Sequence, residues 1–434
     1  MDMELEMQRL GPGMMARYDI EDRRPAKVNA VEFGMSETML ATVNRLLDGA
    51  GLGIACVEAG ETGYARRLNA QGGLYTIVIR GYAGEEHVYR EQVVQCVLKA
   101  HEAENVDGLA ENPDIALGIV DDTDAARTLA ERFIELRRSA ELDTPPLICL
   151  GGEVEGAECY PALADSLAFR SEPDEAAKLC AEMNYLDDML YIAEPVARLT
   201  IAPELRERFP LNDVDFGDMR ETRRLKREVF DAGLFLMAAA GWLNGCDTLR
   251  DCMNHPRLRQ FVGEGFTDEI LPALSDIDRA TVERRVIESF ERYENPLNRN
   301  RVLRAAEGLL SRFVQGPLKL LRRLDEETFE PPRRLSFALA ATLMLYAGAR
   351  PNPDTGAYEV ARGKLTETLH DAPEMLEIFA TLSHDMPPET LAYAALADRE
   401  LWGADLREID GLEARVALDL AAMQREPSYI PDGN

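Results

Sequence analysis

The chain has little positive charge for its size: 48 lysines and arginines stand against 78 aspartates and glutamates, giving a formal net charge of −30. A surface this acidic repels the phosphates of nucleic acids and anionic lipids, so neither nucleic acid nor a membrane is an expected partner. It also disfavours an anionic substrate or dinucleotide, unless a local basic pocket opposes the overall field. Solubility alone is a simpler explanation of the acidity.

Metal-ligand and nucleophile motifs are also missing. The seven cysteines contain no C-x-x-C pair, which excludes the usual zinc-ribbon and thioredoxin-like signals. The histidines have no metal-binding spacing, and there is no G-x-S-x-G or Walker A motif. The five histidines are His87, His101, His255, His370 and His384. The sequence therefore predicts no metal centre and no hydrolase-type nucleophile.

Long hydrophobic runs are absent as well. The N-terminus is acidic and lacks the basic region and apolar core of a secretory signal. The longest apolar runs, Leu234–Leu243 and Leu335–Ala349, are shorter than the roughly 20 residues that a spanning helix needs. The expected location is the cytoplasm, where the cysteines remain reduced.

What the sequence does contain is an alternation of strand and helix patterns in its first half. A chain of 434 residues is long enough for two domains. Alternating strands and helices predict parallel pairing in a doubly wound α/β sheet. The predicted strands are Val31–Gly34, Gly53–Val57, Leu74–Ile79, Ile115–Val120 and Leu147–Leu150. The predicted helices are Glu37–Gly49, Glu91–Ala103 and Asp124–Leu142.

The second half has almost no strand signals, so we predict an all-α domain over residues 216–434 after an α/β domain over residues 1–215. Proline and glycine separate the helical patterns, and the Glu330–Pro332 bend is a clear connector. The predicted helices are Arg220–Gly241, Pro256–Phe261, Asp268–Ala273, Ala280–Tyr293, Arg299–Phe313, Pro317–Leu324, Leu335–Tyr346 and Leu391–Arg399.

One helical stretch, Arg223–Arg250, carries a more specific signal. It resembles the catalytic helix of the polyol-specific long-chain dehydrogenases, which include mannitol dehydrogenases and tagaturonate (altronate) and fructuronate reductases. In that family the helix carries a lysine, an asparagine five residues later and a histidine three residues after that. These positions fall on Lys226, Asp231 and Leu234. Only the lysine is retained.

Six further segments resemble the hexuronate reductase branch in the right order, and together they cover roughly residues 31–350. The resemblance implies a Rossmann-like doubly wound domain followed by a helical substrate domain. The segments are Glu32–Gly34, Gln71–Gly81, Pro113–Ala125, Arg208–Asn212, Arg292–Pro296 and Arg333–Ala341.

The phosphate loop departs from the family's G-x-G-x-x-x-R pattern. Small residues there let backbone N–H groups approach a pyrophosphate. Here Ser36 replaces the second glycine, Leu40 replaces the arginine, and Glu37 adds a carboxylate. The cofactor that the resemblance implies is NAD(H), and these departures predict weak binding or none. The implied cofactor-binding positions are Gly34, Ser36, Glu58, Asp121 and Thr123.

The catalytic positions also depart from the family pattern, and these departures predict weakened catalysis. Reduction of a carbonyl by hydride needs a proton donor and dipoles that stabilise the developing oxyanion. Lys226 remains available as a general acid, but an ionised Asp231 accepts hydrogen bonds and cannot donate one to an oxyanion. Leu234 offers no polar group. Lys226 and Asp231 could instead form a salt bridge, or both could be solvated.

The resemblance also implies positions that would bind an acidic sugar. Where the hexuronate reductases have N-P-x-x-K-H, this chain has Arg299 and Asn300 in place of the last two residues. The S-K-F-like segment becomes Ser311–Phe313, so Arg312 keeps the positive charge. Arg299, Asn300 and Arg312 are therefore the predicted substrate-binding residues, with helix-surface arginine as the alternative.

Three functions remain open from the sequence. The first is a catalytically impaired member of the family with a regulatory or scaffold role in hexuronate metabolism, with a paralogous protein as a possible partner. The second is an active NAD(P)-dependent reductase of a keto sugar acid, with Lys226 as general acid/base. The third is a sugar-acid binding module without redox chemistry.

Overall fold

The computed structural model describes residues 7–83, 86–295, 301–328 and 330–431. The chain divides into two compact units after Thr222, whereas the sequence placed the boundary after residue 215. The predicted substrate-binding residues Arg299 and Asn300 lie outside the described residues.

The first unit is built on an eight-stranded sheet with the order β12-β11-β8-β7-β6-β1-β2-β5. Strands β5, β2, β1, β6, β7 and β8 run parallel, whereas β11 is antiparallel to β8. A second sheet has the order β4-β3-β10-β9. The strands are β1 (Ala30–Phe33), β2 (Ile54–Glu58), β3 (Tyr75–Ala83), β4 (Glu86–Val94), β5 (Val97–Glu102), β6 (Leu117–Val120), β7 (Leu147–Cys149), β8 (Cys159–Asp165), β9 (Ala168–Arg170), β10 (Tyr191–Ala193), β11 (Arg198–Ile201) and β12 (Asp215–Phe216).

Helices cover the parallel sheet, as its fully buried strands require. Every residue of β1, β2 and β6 is buried. The helices are α1 (Asn44–Leu47), α2 (Tyr64–Ala70), α3 (Val106–Ala110), α4 (Asp124–Ser139) and α5 (Pro173–Met183). A π-helical turn, Met39–Val43, leads into α1, and short 3-10 helices span Pro12–Tyr18, Ala103–Asn105 and Pro203–Leu205. The doubly wound α/β prediction is confirmed.

The helix predicted over Glu91–Ala103 is wrong. That segment forms the end of β4 and all of β5, separated by Gln95 and Cys96. Val93, Val94 and Val97 fit the spacing of a helix face and that of a strand equally well over so short a run. The long antiparallel pairing of β3 with β4 decides in favour of the strand, for which β-branched valine is well suited.

The second unit is mainly helical, as predicted. Its helices are α6 (Met219–Leu225), α7 (Asp231–Leu243), α8 (Leu249–Asn254), α9 (Pro256–Gly265), α10 (Leu271–Ala273), α11 (Arg279–Glu294), α12 (Val302–Ala305), α13 (Leu309–Gln315), α14 (Pro317–Thr328), α15 (Arg333–Ala347), α16 (Pro373–Ala380), α17 (Pro388–Leu396), α18 (Arg399–Trp402) and α19 (Leu412–Arg425). Two π-helical turns, Lys226–Phe230 and Phe266–Ile270, and a 3-10 helix, Leu406–Glu408, complete them. The helix α6 begins before the division between the units.

Two details of the second unit differ from the sequence prediction. A small antiparallel sheet is formed by β13 (Arg350–Pro351), β14 (Tyr358–Arg362) and β15 (Leu365–Thr368). Strands this short do not show a clear period of two in the sequence. The helix predicted over Arg299–Phe313 is divided within its described part, because Gly308 adopts a left-handed φ of 71° between α12 and α13.

No helix in the described part of the chain is both long enough and apolar enough to cross a membrane.

Candidate functional site

The turn after β1 is shaped by a close approach between Gly34 and Asp121. Gly34 has a φ of 100°, a conformation that strongly favours glycine. A Cβ added to Gly34 would also lie 2.5 Å from the Asp121 Cβ. The two residues follow β1 and β6, which are neighbouring parallel strands. The structure therefore brings together two predicted cofactor-binding residues, packed directly against each other.

The Asp121 carboxylate accepts hydrogen bonds from the turn itself. Its Oδ2 atom accepts the backbone N–H of Ser36 at 3.2 Å, and its Oδ1 atom accepts the N–H of Asp122 at 2.9 Å. The side chain is buried, and burial raises the pKa of Asp121 despite these hydrogen bonds. Dinucleotide-binding folds present backbone N–H groups to phosphate in this turn. Here the Ser36 N–H is already bonded to the Asp121 carboxylate.

The two predicted hydroxyl ligands, Ser36 and Thr123, serve as helix caps. Ser36 Oγ accepts the N–H of Met39 at 3.3 Å, and Thr123 Oγ1 accepts the N–H of Ala126 at 3.2 Å. Such bonds satisfy N–H groups that the first turn of a helix leaves free. Each hydroxyl therefore has a hydrogen-bond partner within the chain, and neither needs a ligand to explain its position.

Glu58, the predicted ribose acid, also caps a helix. Its Oε1 atom accepts the N–H of Tyr64 at 3.1 Å and the hydroxyl of Thr62, and its Oε2 atom accepts the N–H of Ala65 at 3.1 Å. Burial alone would raise the pKa of Glu58. The hydrogen bonds to its carboxylate have the larger combined effect, so the pKa of Glu58 lies below its usual value. Both carboxylate oxygens are therefore used within the first unit.

The residues of the first unit do not fit a dinucleotide well. The Ser36 N–H is used by Asp121, and the carboxylate that would bind ribose is used by the N-terminus of α2. A negative charge about 4 Å from a phosphate costs on the order of 1–4 kcal/mol at surface-like dielectric. These contacts oppose the binding of a dinucleotide in the first unit.

Glu32, in the middle of β1, is a titratable group that the sequence analysis did not single out. It is fully buried, beside the Asn44 amide and the Cys56 thiol. Burial, and then the negative charge of Asp121, raise the pKa of Glu32 from 4.5 to about 8. The sequence signal was an acid between apolar residues in a strand that is buried on both faces.

In the second unit, a π-helical turn sets the relative position of the predicted catalytic residues. The Asp231 N–H donates to the carbonyl oxygen of Lys226, five residues earlier. In a regular α-helix, residues five apart point about 140° away from each other. The wider turn brings Lys226 and Asp231 to one side of the helix. Such insertions are frequent at functional sites.

Asp231 lies between two cations. Its Oδ2 atom is 3.5 Å from Lys226 Nζ, and its Oδ1 atom is 3.4 Å from Arg312 Nη1. The Asp231 side chain is 5% exposed, whereas those of Lys226 and Arg312 are 24% and 29% exposed. We call these three residues the ion cluster. It contains the salt bridge that the sequence left as an alternative, and it adds Arg312.

Leu234 occupies the position of the family's histidine and is fully buried. It supplies no hydrogen-bond donor. An ionised Asp231 likewise cannot donate a hydrogen bond to an oxyanion. Removal of one oxyanion donor typically costs about 10²–10³ in rate. The second unit therefore retains a lysine and an arginine, but neither of the two neutral donors of the family pattern.

Among the described residues, no group of three or more histidine, cysteine, aspartate or glutamate side chains is arranged to hold a metal ion. The charged groups described here are Asp121 in the first unit and the ion cluster in the second.

The fold defines a class of protein: a Rossmann-like α/β unit followed by a helical unit. A family model described as the mannitol dehydrogenase C-terminal domain matches residues 225–424. Altronate oxidoreductase from Shigella flexneri is 25% identical over 438 residues, covering 86% of this chain and 88% of that protein. Altronate oxidoreductase from Escherichia coli strain IAI39 is 24% identical with the same coverage.

Solved structures agree on the fold. Pseudomonas fluorescens mannitol 2-dehydrogenase, in a ternary complex with NAD and D-mannitol, matches with a TM-score of 0.76 at 14% identity. The match covers 97% of this chain and 98% of that one. A substrate-free D-sorbitol dehydrogenase gives a TM-score of 0.69 at 16% identity, covering 97% and 99%. Residues 225–424 therefore match the mannitol dehydrogenase C-terminal family, and the chain over most of its length is similar to the altronate oxidoreductases.

Proposed function

We propose that this chain keeps the fold of its family but has lost efficient hydride transfer, and that it acts as a regulatory or scaffold protein in hexuronate metabolism. One observation carries the proposal: in each unit a carboxylate of the chain itself is paired with a group at a predicted site position. Asp121 accepts the Ser36 N–H, and Asp231 pairs with Lys226 and Arg312. NAD(H) binding is then weak or absent.

The metabolic setting of the proposal comes from the relatives, which are named altronate oxidoreductases. A protein that keeps their fold without their chemistry would act through a partner, and an intact paralogue is the partner that we propose. A sugar acid could still bind through Arg312. The proposed location is the cytoplasm, where the seven free cysteines would stay reduced.

A second candidate function is an active reductase of a keto sugar acid. Lys226 is still partly exposed at 24% of its side chain, so its ammonium group remains accessible as a proton donor. In that reaction Arg312, 29% exposed, would hold the substrate carboxylate. This candidate requires that Asp231 release both cations when substrate binds.

A turnover assay separates the two candidates. The full chain is mixed with NADH or NADPH and with tagaturonate or fructuronate, with Escherichia coli altronate oxidoreductase as the positive control. We expect no loss of NADH absorbance above the protein-free rate. Turnover that disappears in Lys226→Ala would establish the active reductase and overturn the proposal.

A thermal-shift measurement on the same protein, with a sugar acid and no nucleotide, distinguishes the third possibility, a binding module. Stabilisation by a sugar acid without any nucleotide, reduced in Arg312→Gln, would indicate binding without redox chemistry. Because the measurement needs no turnover, it remains informative if the turnover assay is negative.

A further inference from the structure

A close backbone contact joins the π-helical turn to Gly316, the residue between α13 and α14. A Cβ added to Gly316 would lie 2.3 Å from the carbonyl oxygen of Arg227 and 2.8 Å from its carbonyl carbon. The φ of Gly316 is −131°, outside the left-handed region. The contact with Arg227 disfavours any side chain at this position, because the neighbouring atoms are backbone that cannot move aside cheaply.

This contact sets the distance between α13 and the π-helical turn. Arg227 lies within that turn, and Gly316 donates its N–H to the carbonyl of Arg312 at 3.0 Å. Arg312 is thus one helical turn from the contact, and its Nη1 atom lies 3.4 Å from Asp231 and 3.3 Å from the carbonyl oxygen of Ala305. If α13 were pushed outward at Gly316, Arg312 would move away from Asp231.

The other end of the π-helical turn is held by Tyr293 of α11. The Tyr293 hydroxyl donates to the carbonyl oxygen of Phe230 at 2.5 Å, and the two rings lie 5.2 Å apart. The Arg292 guanidinium lies over the Phe230 ring at 3.8 Å. Gly233 leaves room for this approach, because a Cβ there would lie 2.6 Å from the Tyr293 hydroxyl.

We propose that Gly316 and Tyr293 are positioning residues that hold the π-helical turn from two sides and so assemble the ion cluster. Tyr293 fixes the turn at Phe230, where the chain enters α7 at Asp231. Gly316 docks α13 against Arg227, so that Arg312 becomes the second cation on Asp231. The inference rests on the proposed function only in taking Lys226, Asp231 and Arg312 as the candidate site.

A double-mutant cycle tests the proposal without cofactor or substrate, so its outcome is independent of whether the chain has activity. Urea unfolding of the full chain gives the coupling between Arg312 and Asp231 from Arg312→Gln, Asp231→Asn and the double variant. The cycle is measured in the wild type, in Gly316→Ala and in Gly263→Ala. Gly263 is the matched control, because a Cβ there meets nothing within 4 Å.

We expect the coupling to fall by at least half in Gly316→Ala and to be unchanged in Gly263→Ala. A general loss of stability would shift all four members of a cycle together and leave the coupling intact. An undiminished coupling in Gly316→Ala would overturn the proposal for Gly316.

If Gly316→Ala does not fold while Gly263→Ala does, the cycle is repeated in Tyr293→Phe, which removes only the hydroxyl. A coupling reduced by at least half supports the two-sided arrangement. A coupling equal to that of the wild type contradicts it.

Discussion

Replacing Glu32 with glutamine is expected to stabilise the chain by about 3–5 kcal/mol at pH 8 and to leave its stability at pH 4.5 almost unchanged. The buried Glu32 carboxyl has a pKa of about 8 in the folded chain, against 4.5 for an ordinary glutamate. Glutamine has nearly the same shape and stays neutral at every pH. It therefore removes the cost of keeping this position protonated or of ionising it inside the sheet.

The direction of the effect follows from proton binding. Between pH 4.5 and 8 the folded chain holds a proton on Glu32 that the unfolded chain has released, so stability falls as pH rises. The favourable contribution is complete below pH 4.5 and is lost as pH rises through about 8. Each pKa unit corresponds to about 1.4 kcal/mol, which gives the size of the expected difference.

Urea unfolding at pH 4.5, 6 and 8 measures the effect, and the pH values follow from the two pKa values of Glu32. Glu135→Gln is the matched control, because Glu135 is exposed on α4 of the same unit and its replacement likewise removes one carboxyl group. If the free energy of unfolding of Glu32→Gln and of the control changes equally with pH, Glu32 is not the source of the pH dependence.

Asp121→Asn is expected to strengthen NADH binding by about fivefold to several hundredfold over the wild type. For a charge pair about 4 Å apart, removing the Asp121 charge gains on the order of 1–4 kcal/mol, which corresponds to that range in Kd. The substitution also weakens the competition for the Ser36 N–H, because a neutral asparagine oxygen accepts this hydrogen bond less strongly than the Asp121 carboxylate does.

Asp122→Asn is the control for this experiment. Asp122 follows Asp121 directly, is exposed, and carries the same formal charge. Calorimetry on both variants and the wild type separates a local effect on the turn from a general effect of net charge. Equal gains in affinity for the two variants would contradict the account of Asp121.

The sequence predicted the fold because its signals there are local. The buried strands β1, β2, β6 and β7 are short apolar runs between helical segments, which is the expected pattern of a parallel sheet. The segment that forms β5 was wrongly predicted as helix, because its pairing with Ile54–Glu58 of β2 is a long-range property. Local spacing does not contain that information.

The candidate site was predicted in part. The Ser36 and Glu37 departures indicated a weakened phosphate turn, but not which group fills it, because Asp121 lies 85 residues from Ser36. The Lys226–Asp231 pair was an open alternative, since five residues bring two side chains together only in a π-helical turn. Arg312 and Asp231 are 81 residues apart in the chain, so no local sequence pattern predicted that they pair.

We propose that Asp121, which accepts a hydrogen bond from the turn after β1, prevents ordinary cofactor binding. The most direct test is a titration of the full-length wild-type protein with NADH, and in parallel with NADPH, followed by calorimetry and ligand fluorescence at physiological salt. We expect no saturable binding by the wild type up to millimolar nucleotide, and measurable binding by Asp121→Asn. Saturable micromolar binding by the wild type would contradict the proposal, and the active reductase would become the better description of this chain.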